Sequence, residues 1–311
     1  MDAETQALVL AYNQIDMELY AHFCGLAHFA SPEAGQWARS ALHARGDPPR
    51  EEAGGARPQG ERAVCVLGMS RSGTSLTAQV LNVLGVDLGA PEELMKPAEG
   101  NNPAGFWEHE GIAGLNEDIL LSLGSAERQG WRHPPELPEG WERDARLERH
   151  RREAEAMLRE SFADSPLWGW KDPRNCLTLP FWQQLVPEMR YVICVRNPLD
   201  VAASLGARDG MRREESLRLW LLYMSQALRH VAGRPRLFVA YEDYFAGLNR
   251  QLERLAGFLG IPGLSHAQRD EIAERLDPGL RHQRESERAS EESLPRDVTE
   301  LYATLSAGTR D

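Results

Sequence analysis

Apolar positions along this chain follow two spacings. Between residues 3 and 29, Leu8, Tyr12, Ile15, Leu19, Phe23 and Leu26 recur every three or four positions, the mark of an amphipathic helix. A second short helix is expected over 32–45, which makes 1–45 an N-terminal helical extension. Residues 46–61, rich in Pro, Gly and charge, read as a flexible linker. From Arg62 onward the pattern changes. Short continuous apolar runs occur at 64–67, 167–170, 191–195 and 237–241, with helical stretches near 74–84, 111–123, 142–162, 198–206, 214–232 and 246–259. Continuous runs are strands buried on both faces, and their alternation with helices predicts an α/β domain over 62–284: a three-layer parallel sheet covered on both sides. Residues 124–165 read as an insertion ending in a highly charged helix. Residues 285–311 read as a loosely held polar tail with one late helix.

In parallel sheets of this kind ligands sit beyond the carboxyl ends of the strands. The residues there are chemically telling. The stretch AVCVLGMSRSGTS, 63–75, places a strand before a turn bracketed by Gly68 and Gly73, then a helix start at Thr74. Such a loop aims successive backbone N–H groups at one point, and the helix dipole adds positive charge there. Ser72, Thr74 and Ser75 add hydroxyls, and Arg71 is the loop's only cation. The ATP-binding form of such a loop ends Gly-Lys-Ser/Thr, whereas here Thr74 follows Gly73. The third strand ends at Arg196, and Pro198 opens a helix as a first-turn proline. Ser204 and Arg208, four apart on that helix, share a face and with Arg196 can grip a second phosphate. The second strand delivers Lys171 in WGWKDPR.

Composition narrows the field. Net charge is −12, from 35 basic and 47 acidic side chains in 311 residues, which argues against nucleic acid or an anionic membrane as a general partner. An anionic ligand must therefore meet a local basic pocket. No segment is long and apolar enough to span a bilayer and the N-terminus lacks a secretion signature, so a cytoplasmic location is expected. Cys24, Cys65, Cys176 and Cys194 are scattered without a CxxC pair, which points to buried thiols and no metal site. Lys96 and Lys171 are the chain's two lysines against an arginine background, and a lysine there suggests a compact charge that a guanidinium could not replace.

With these motifs in order, the chain resembles the sulfotransferases that use 3′-phosphoadenosine 5′-phosphosulfate, PAPS, over about Arg62 to Ile261. In that family a loop like GMSRSGTS holds the 5′-phosphosulfate, and an Arg followed eight residues later by Ser, here Arg196 and Ser204, holds the 3′-phosphate. The resemblance implies a bacterial-type domain of P-loop nucleotide-kinase-like topology, with Arg208 helping at the 3′-phosphate and Tyr241 near the nucleotide. It further implies that Lys171 faces the sulfuryl group, as in tyrosylprotein and related sulfotransferases. PAPS is then the co-substrate, adenosine 3′,5′-bisphosphate the product, and no metal is needed. In many relatives the base is a Glu about twenty residues past the loop, where Glu92 and Glu93 fall, with Glu93 the first choice.

The rival base lies in GFWEHEG, where Glu108, His109 and Glu110 sit between aromatics and a helix start; a carboxylate beside Trp107 can have its pKa raised toward a base's working range. A helix-capping role for that cluster is the other reading. The acceptor is left open among small molecules, sugars and natural products, with a hydroxyl or amine as the nucleophile. Trp131 and Trp141 in the insertion suit a wall of that site or simple packing. A homodimer through the N-terminal helix is a further expectation. Two other functions compete: a P-loop kinase or NTPase, disfavoured by the missing Gly-Lys, and a catalytically idle nucleotide-binding protein.

Overall fold

The computed structural model describes residues 62–97, 105–124, 130–276 and 294–310. The N-terminal extension, the linker and the dimer expected through the first helix therefore lie outside the described residues. In chain order the elements are β1 (Arg62–Leu67), α1 (Thr74–Val83), α2 (Glu110–Leu123), α3 (Glu148–Phe162), β2 (Leu167–Lys171), α4 (Asn175–Leu185), β3 (Met189–Val195), α5 (Pro198–Asp209), α6 (Arg213–His230), β4 (Arg236–Ala240), α7 (Asp243–Ala246), α8 (Leu248–Leu259), α9 (His266–Arg275) and α10 (Arg296–Gly308). The four strands form one sheet in the order β2-β1-β3-β4, and every pairing is parallel.

The alternation of side chains along each strand divides the core in two. Ala63, Cys65 and Leu67 of β1, with Trp168, Trp170, Tyr191 and Ile193, face a layer built from α2, α3, α4, α5, α6 and α10. Val64, Val66, Val192, Cys194 and Val239 face α1, α8 and α9 instead. Both faces of the sheet are thus dry, which is why its strands read as unbroken apolar runs. Phe162, Trp168, Trp170 and Trp182 form a contiguous aromatic column with successive centroid separations of 4.7, 5.6 and 5.4 Å. Cys65, Cys176 and Cys194 are buried free thiols.

The structure differs from the sequence-based expectation in four places. The helix expected over 142–162 begins at Glu148; before it, two short turns, Trp141–Arg143 and Ala145–Leu147, are separated by Asp144, whose carboxylate accepts from the Arg146 N–H at 2.8 Å. The helix α4 is not among the expected elements, because Pro180 interrupts its pattern. Nor is α9, although Ser265 and Gln268 close a reciprocal capping box at its start. The late helix of the polar tail is α10, and it is not loosely held. Val298, Leu301 and Leu305 are buried in the core, and Tyr302 stands edge-on to Trp220.

Candidate active site

Four parallel strands end side by side, and the segments leaving those ends build one polar region. After β1 the chain turns through Gly68, with φ +147°, and Gly73, with φ +88°. A Cβ at Gly73 would lie 2.5 Å from Cδ2 of Tyr241, the residue after β4. Only glycine lets the loop lie this close beneath the ring. Between the two glycines Arg71 adopts φ +71°, a left-handed conformation that costs a non-glycine residue energy. That turn sends the Arg71 side chain away from its own loop: Nε donates to Ser204 Oγ at 2.8 Å. Arg196, just past β3, donates from Nη1 to the Arg71 carbonyl at 2.9 Å and lies over the Tyr241 ring at 4.4 Å. Arg71, Ser72, Gly73, Arg196, Ser204 and Tyr241 are thereby brought together.

The electrostatics of this region are unbalanced. Burial, then the nearby Arg208 and Arg196, push the Arg71 guanidinium below its ordinary range; Tyr241 and Asp209 oppose the shift. Arg208 is tethered to Asp209 by an ion pair of 2.6 Å and stands over the Trp131 ring at 5.7 Å, with Arg132 also over that ring at 5.2 Å. The segment before α3 thus reaches the arginine cluster through Trp131, whose carbonyl accepts from Tyr223 Oη, whereas Trp141 is a core residue. Ser72 is fully buried, and its hydroxyl has no hydrogen-bond partner among the described residues. Thr74 is buried at the start of α1. The Ser75 hydroxyl donates to the Phe106 carbonyl at 3.0 Å, tying the loop to the segment that precedes Glu108.

A second constellation surrounds Lys171, the last residue of β2. Its side chain is 1% exposed, and Nζ donates to Glu108 Oε1 at 2.6 Å. Glu108 reaches it because Trp107 turns through φ +58° and because the Met95 N–H donates to the Glu108 carbonyl at 2.8 Å. Burial raises the Glu108 carboxyl above the usual range, Lys171 and Arg174 draw it back, and Asp172 pushes it up. His109 occupies the N-cap of α2 without a side-chain capping bond, so its ring does not fill the capping role.

Glu93 is held elsewhere. Its Oε1 accepts from Ser161 Oγ at 2.8 Å, its Oε2 accepts from the Ala90 N–H at 2.8 Å, and His109 Nε2 lies 3.6 Å away. With Asp87, Glu92, Glu160 and Ser161 it lines a cleft of about 610 Å³ that does not include Lys171 among its walls. The structure therefore brings Glu108, not Glu93, to Lys171. Of the two lysines, Lys171 is buried and Lys96 is exposed.

Beneath this pair lies a network that residue order does not announce. Asn116, fully buried on α2, donates to Asp172 Oδ2 at 3.1 Å and to Asn175 Oδ1 at 2.9 Å, while its own carbonyl accepts from Thr178 Oγ1 and Trp182 Nε1 at 2.6 and 2.8 Å. Arg174 joins Asp172 at 2.9 Å, Glu117 at 3.0 Å and Glu108 at 3.6 Å. A polar residue amid the apolar spacing of α2, facing a strand end, is the one signal the sequence carries of it.

Fold and site together define a parallel α/β protein with clustered cations beyond its strand ends. The model of the sulfotransferase family matches residues 63–266, and the chain belongs to that family. It is a sulfotransferase. No curated protein matches the chain. Among solved structures, the sulfotransferase domain from the curacin biosynthetic pathway is 15% identical, with a TM-score of 0.47 over 79% of this chain and 98% of that one. The sulfotransferase domain of the Synechococcus PCC 7002 olefin synthase is 19% identical, with a TM-score of 0.46 over 81% and 98%. A Mycobacterium avium sulfotransferase, STF9, is 13% identical, with a TM-score of 0.44 over 80% and 76%. Among the described residues no helix is long and apolar enough to cross a membrane.

Proposed function

We propose that this sulfotransferase moves a sulfuryl group from 3′-phosphoadenosine 5′-phosphosulfate to a hydroxyl or amine of a small-molecule, sugar or natural-product acceptor. The observation that carries the reading is the meeting of Arg71, Arg196, Ser204 and Tyr241 around one glycine-bracketed loop. The residues present fit such a donor. Ser72 offers a buried hydroxyl with no partner among the described residues, and three arginines crowd together in a way that an anion between them would relieve. In this reading the Gly68–Ser75 loop and the start of α1 hold the 5′ end of the donor, and Arg196, Ser204, Arg208 and Arg71 hold the 3′-phosphate. Tyr241 flanks the nucleotide.

Lys171 would stabilise charge on the transferring and leaving oxygens, and Glu108 would take the acceptor's proton. The acceptor oxygen or nitrogen forms the new bond to sulfur, the bond from sulfur to the bridging phosphate oxygen breaks, and the electron pair leaves with adenosine 3′,5′-bisphosphate. Glu108 is preferred to Glu93 because it touches Lys171, while both oxygens of Glu93 are engaged by Ser161 and the Ala90 N–H.

Transfer of label from ³⁵S-PAPS to a panel of hydroxyl and amine acceptors, run beside an ATP hydrolysis assay, tests the activity. Titration calorimetry with adenosine 3′,5′-bisphosphate and with AMP tests the donor site. A charge-assisted phosphate contact contributes about 1.5–3 kcal/mol, so the bisphosphate should bind roughly ten- to a hundredfold more tightly. Equal affinity for the two nucleotides, or ATP hydrolysis without sulfuryl transfer, would overturn the proposal.

A further inference from the structure

Arg174 is placed to do something that Lys171 alone cannot. Each nitrogen of its guanidinium serves a different carboxylate: Nε bonds Asp172 at 2.9 Å, Nη1 bonds Glu117 at 3.0 Å, and Nη2 lies 3.6 Å from Glu108 Oε2. Its backbone N–H also donates to Asp172 Oδ1 at 2.8 Å. Asp172 is in turn fixed by Asn116, which Thr178 and Trp182 hold from the other side. A planar fork locked in this way has one orientation, and that orientation presents a fixed charge to the outer oxygen of Glu108.

The need for that charge arises from the proposed role of Glu108 as base, on which this inference rests. Lys171 Nζ sits on Glu108 Oε1, yet the same ammonium is asked to stabilise the transferring group. As its charge is shared with an incoming anion, Glu108 is left as a buried carboxylate beside a second one, Asp172. A carboxylate in that position picks up a proton and stops being a base. The charged groups facing Glu108 are Lys171 at the end of β2 and Asp172 and Arg174 just beyond it. On its own segment His109 turns toward Glu93 and Ser161, and Glu110 is exposed.

We propose that Arg174 is a positioning residue that keeps the Glu108 carboxylate ionised and oriented while Lys171 lends its charge to the transferring group. Although burial works against its charge, the surrounding Asp172, Glu117 and Glu108 carboxylates hold the Arg174 guanidinium protonated. It is therefore a constant cation beside a base whose other partner is shared.

The test uses the full-length protein with ¹³C-labelled glutamate carboxyls. The Glu108 titration is assigned by its loss in Glu108→Gln, and the acidic limb of kcat/KM is followed with an acceptor found by the ³⁵S screen. Arg174→Gln should move the Glu108 midpoint and the acidic limb upward by about one pH unit, a roughly tenfold loss of kcat/KM on the acid side. Affinity for adenosine 3′,5′-bisphosphate should stay within about twofold, because Arg174 lies outside the arginine cluster. Arg174→Lys should give a smaller move in the same direction. Glu117→Gln, which removes a partner of Arg174 but leaves its contact with Glu108, should move neither.

An unmoved Glu108 midpoint in Arg174→Gln, or an equal move in Glu117→Gln, would overturn the proposal; should Arg174→Gln not fold, an unmoved midpoint in Arg174→Lys decides against it in the same way. The titration needs no turnover. If the wild type transfers no sulfuryl group, or Glu108→Gln keeps the acidic limb, it is the assignment of Glu108 as base that fails, while the carboxyl titration still judges Arg174.

Discussion

Replacing Lys171 by methionine keeps the length of the side chain and removes its charge, and the geometry sets the size of the effect. The Lys171 and Glu108 side chains are 1% and 11% exposed, with 2.6 Å between Nζ and Oε1. Removing one partner of such a buried pair costs about 3–5 kcal/mol, mostly because the survivor is left uncompensated. Here the survivor keeps Arg174 at 3.6 Å, so Lys171→Met should fall at the lower end, about 3 kcal/mol at pH 8. The same pair sets the sign of the pH dependence. Burial already holds the Glu108 carboxyl above its unfolded value, and losing Lys171 removes the largest opposing influence, so the folded pKa rises further. A carboxyl raised in the folded state costs stability above that folded pKa and nothing below the unfolded value. The penalty should therefore be larger at pH 8 than at pH 5, shrinking by about 1.4 kcal/mol per unit wherever the pH lies between the raised folded value and the unfolded one. Urea unfolding of the wild type, Lys171→Met, Glu108→Gln and the double variant at both pH values reads this directly. The double variant should be more stable than the sum of the singles by about 2 kcal/mol. Equal penalties at pH 5 and pH 8, or strict additivity, would refute the coupled-pair reasoning.

Arg196→Ala should weaken binding of adenosine 3′,5′-bisphosphate by about 1.5–3 kcal/mol while changing AMP binding little, measured by calorimetry; equal weakening of both would remove Arg196 from the 3′-phosphate. Gly73→Ala should lower the melting temperature and abolish nucleotide binding, since its Cβ meets the Tyr241 ring at 2.5 Å in a left-handed conformation; adding Tyr241→Ala should recover part of the stability, as thermal unfolding will show. Asn116→Leu should cost about 2–4 kcal/mol in urea unfolding, because it strands the Trp182 indole N–H and Asn175 Oδ1 in the core, whereas Thr178 and Asp172 keep Arg174 as a partner. A loss under about 1 kcal/mol would mean that the network relaxes around the leucine.

Much of the fold could be read from the chain because its strands are dry on both faces. A run such as Val64–Leu67 has no polar position to confuse it with an exposed element, and the ends of four such runs locate the polar region. Mixed signals hid the rest: α4 carries Pro180 in its interior, and α10, expected as a late helix, conceals its packing because Val298, Leu301 and Leu305 lie within a polar stretch. Spacing also could not choose between carboxylates. Distance from the loop favours Glu93, but Glu108 reaches Lys171 through a left-handed Trp107 and the pairing of Met95 with Glu108, neither of which leaves a trace in residue order. Arg71 is similar. Sequence places it inside its loop, and only the positive φ at that position carries its side chain to Ser204.

The aromatic ring of Trp131, flanked by Arg132 and Arg208, has a consequence for engineering. Chimeras that exchange residues 124–165 between relatives would also exchange a neighbour of the cationic cluster. Exchanging only the part of that segment after residue 132 would leave that electrostatic neighbourhood intact. Libraries randomised at Trp131 should be screened for nucleotide retention before any search for altered acceptor range.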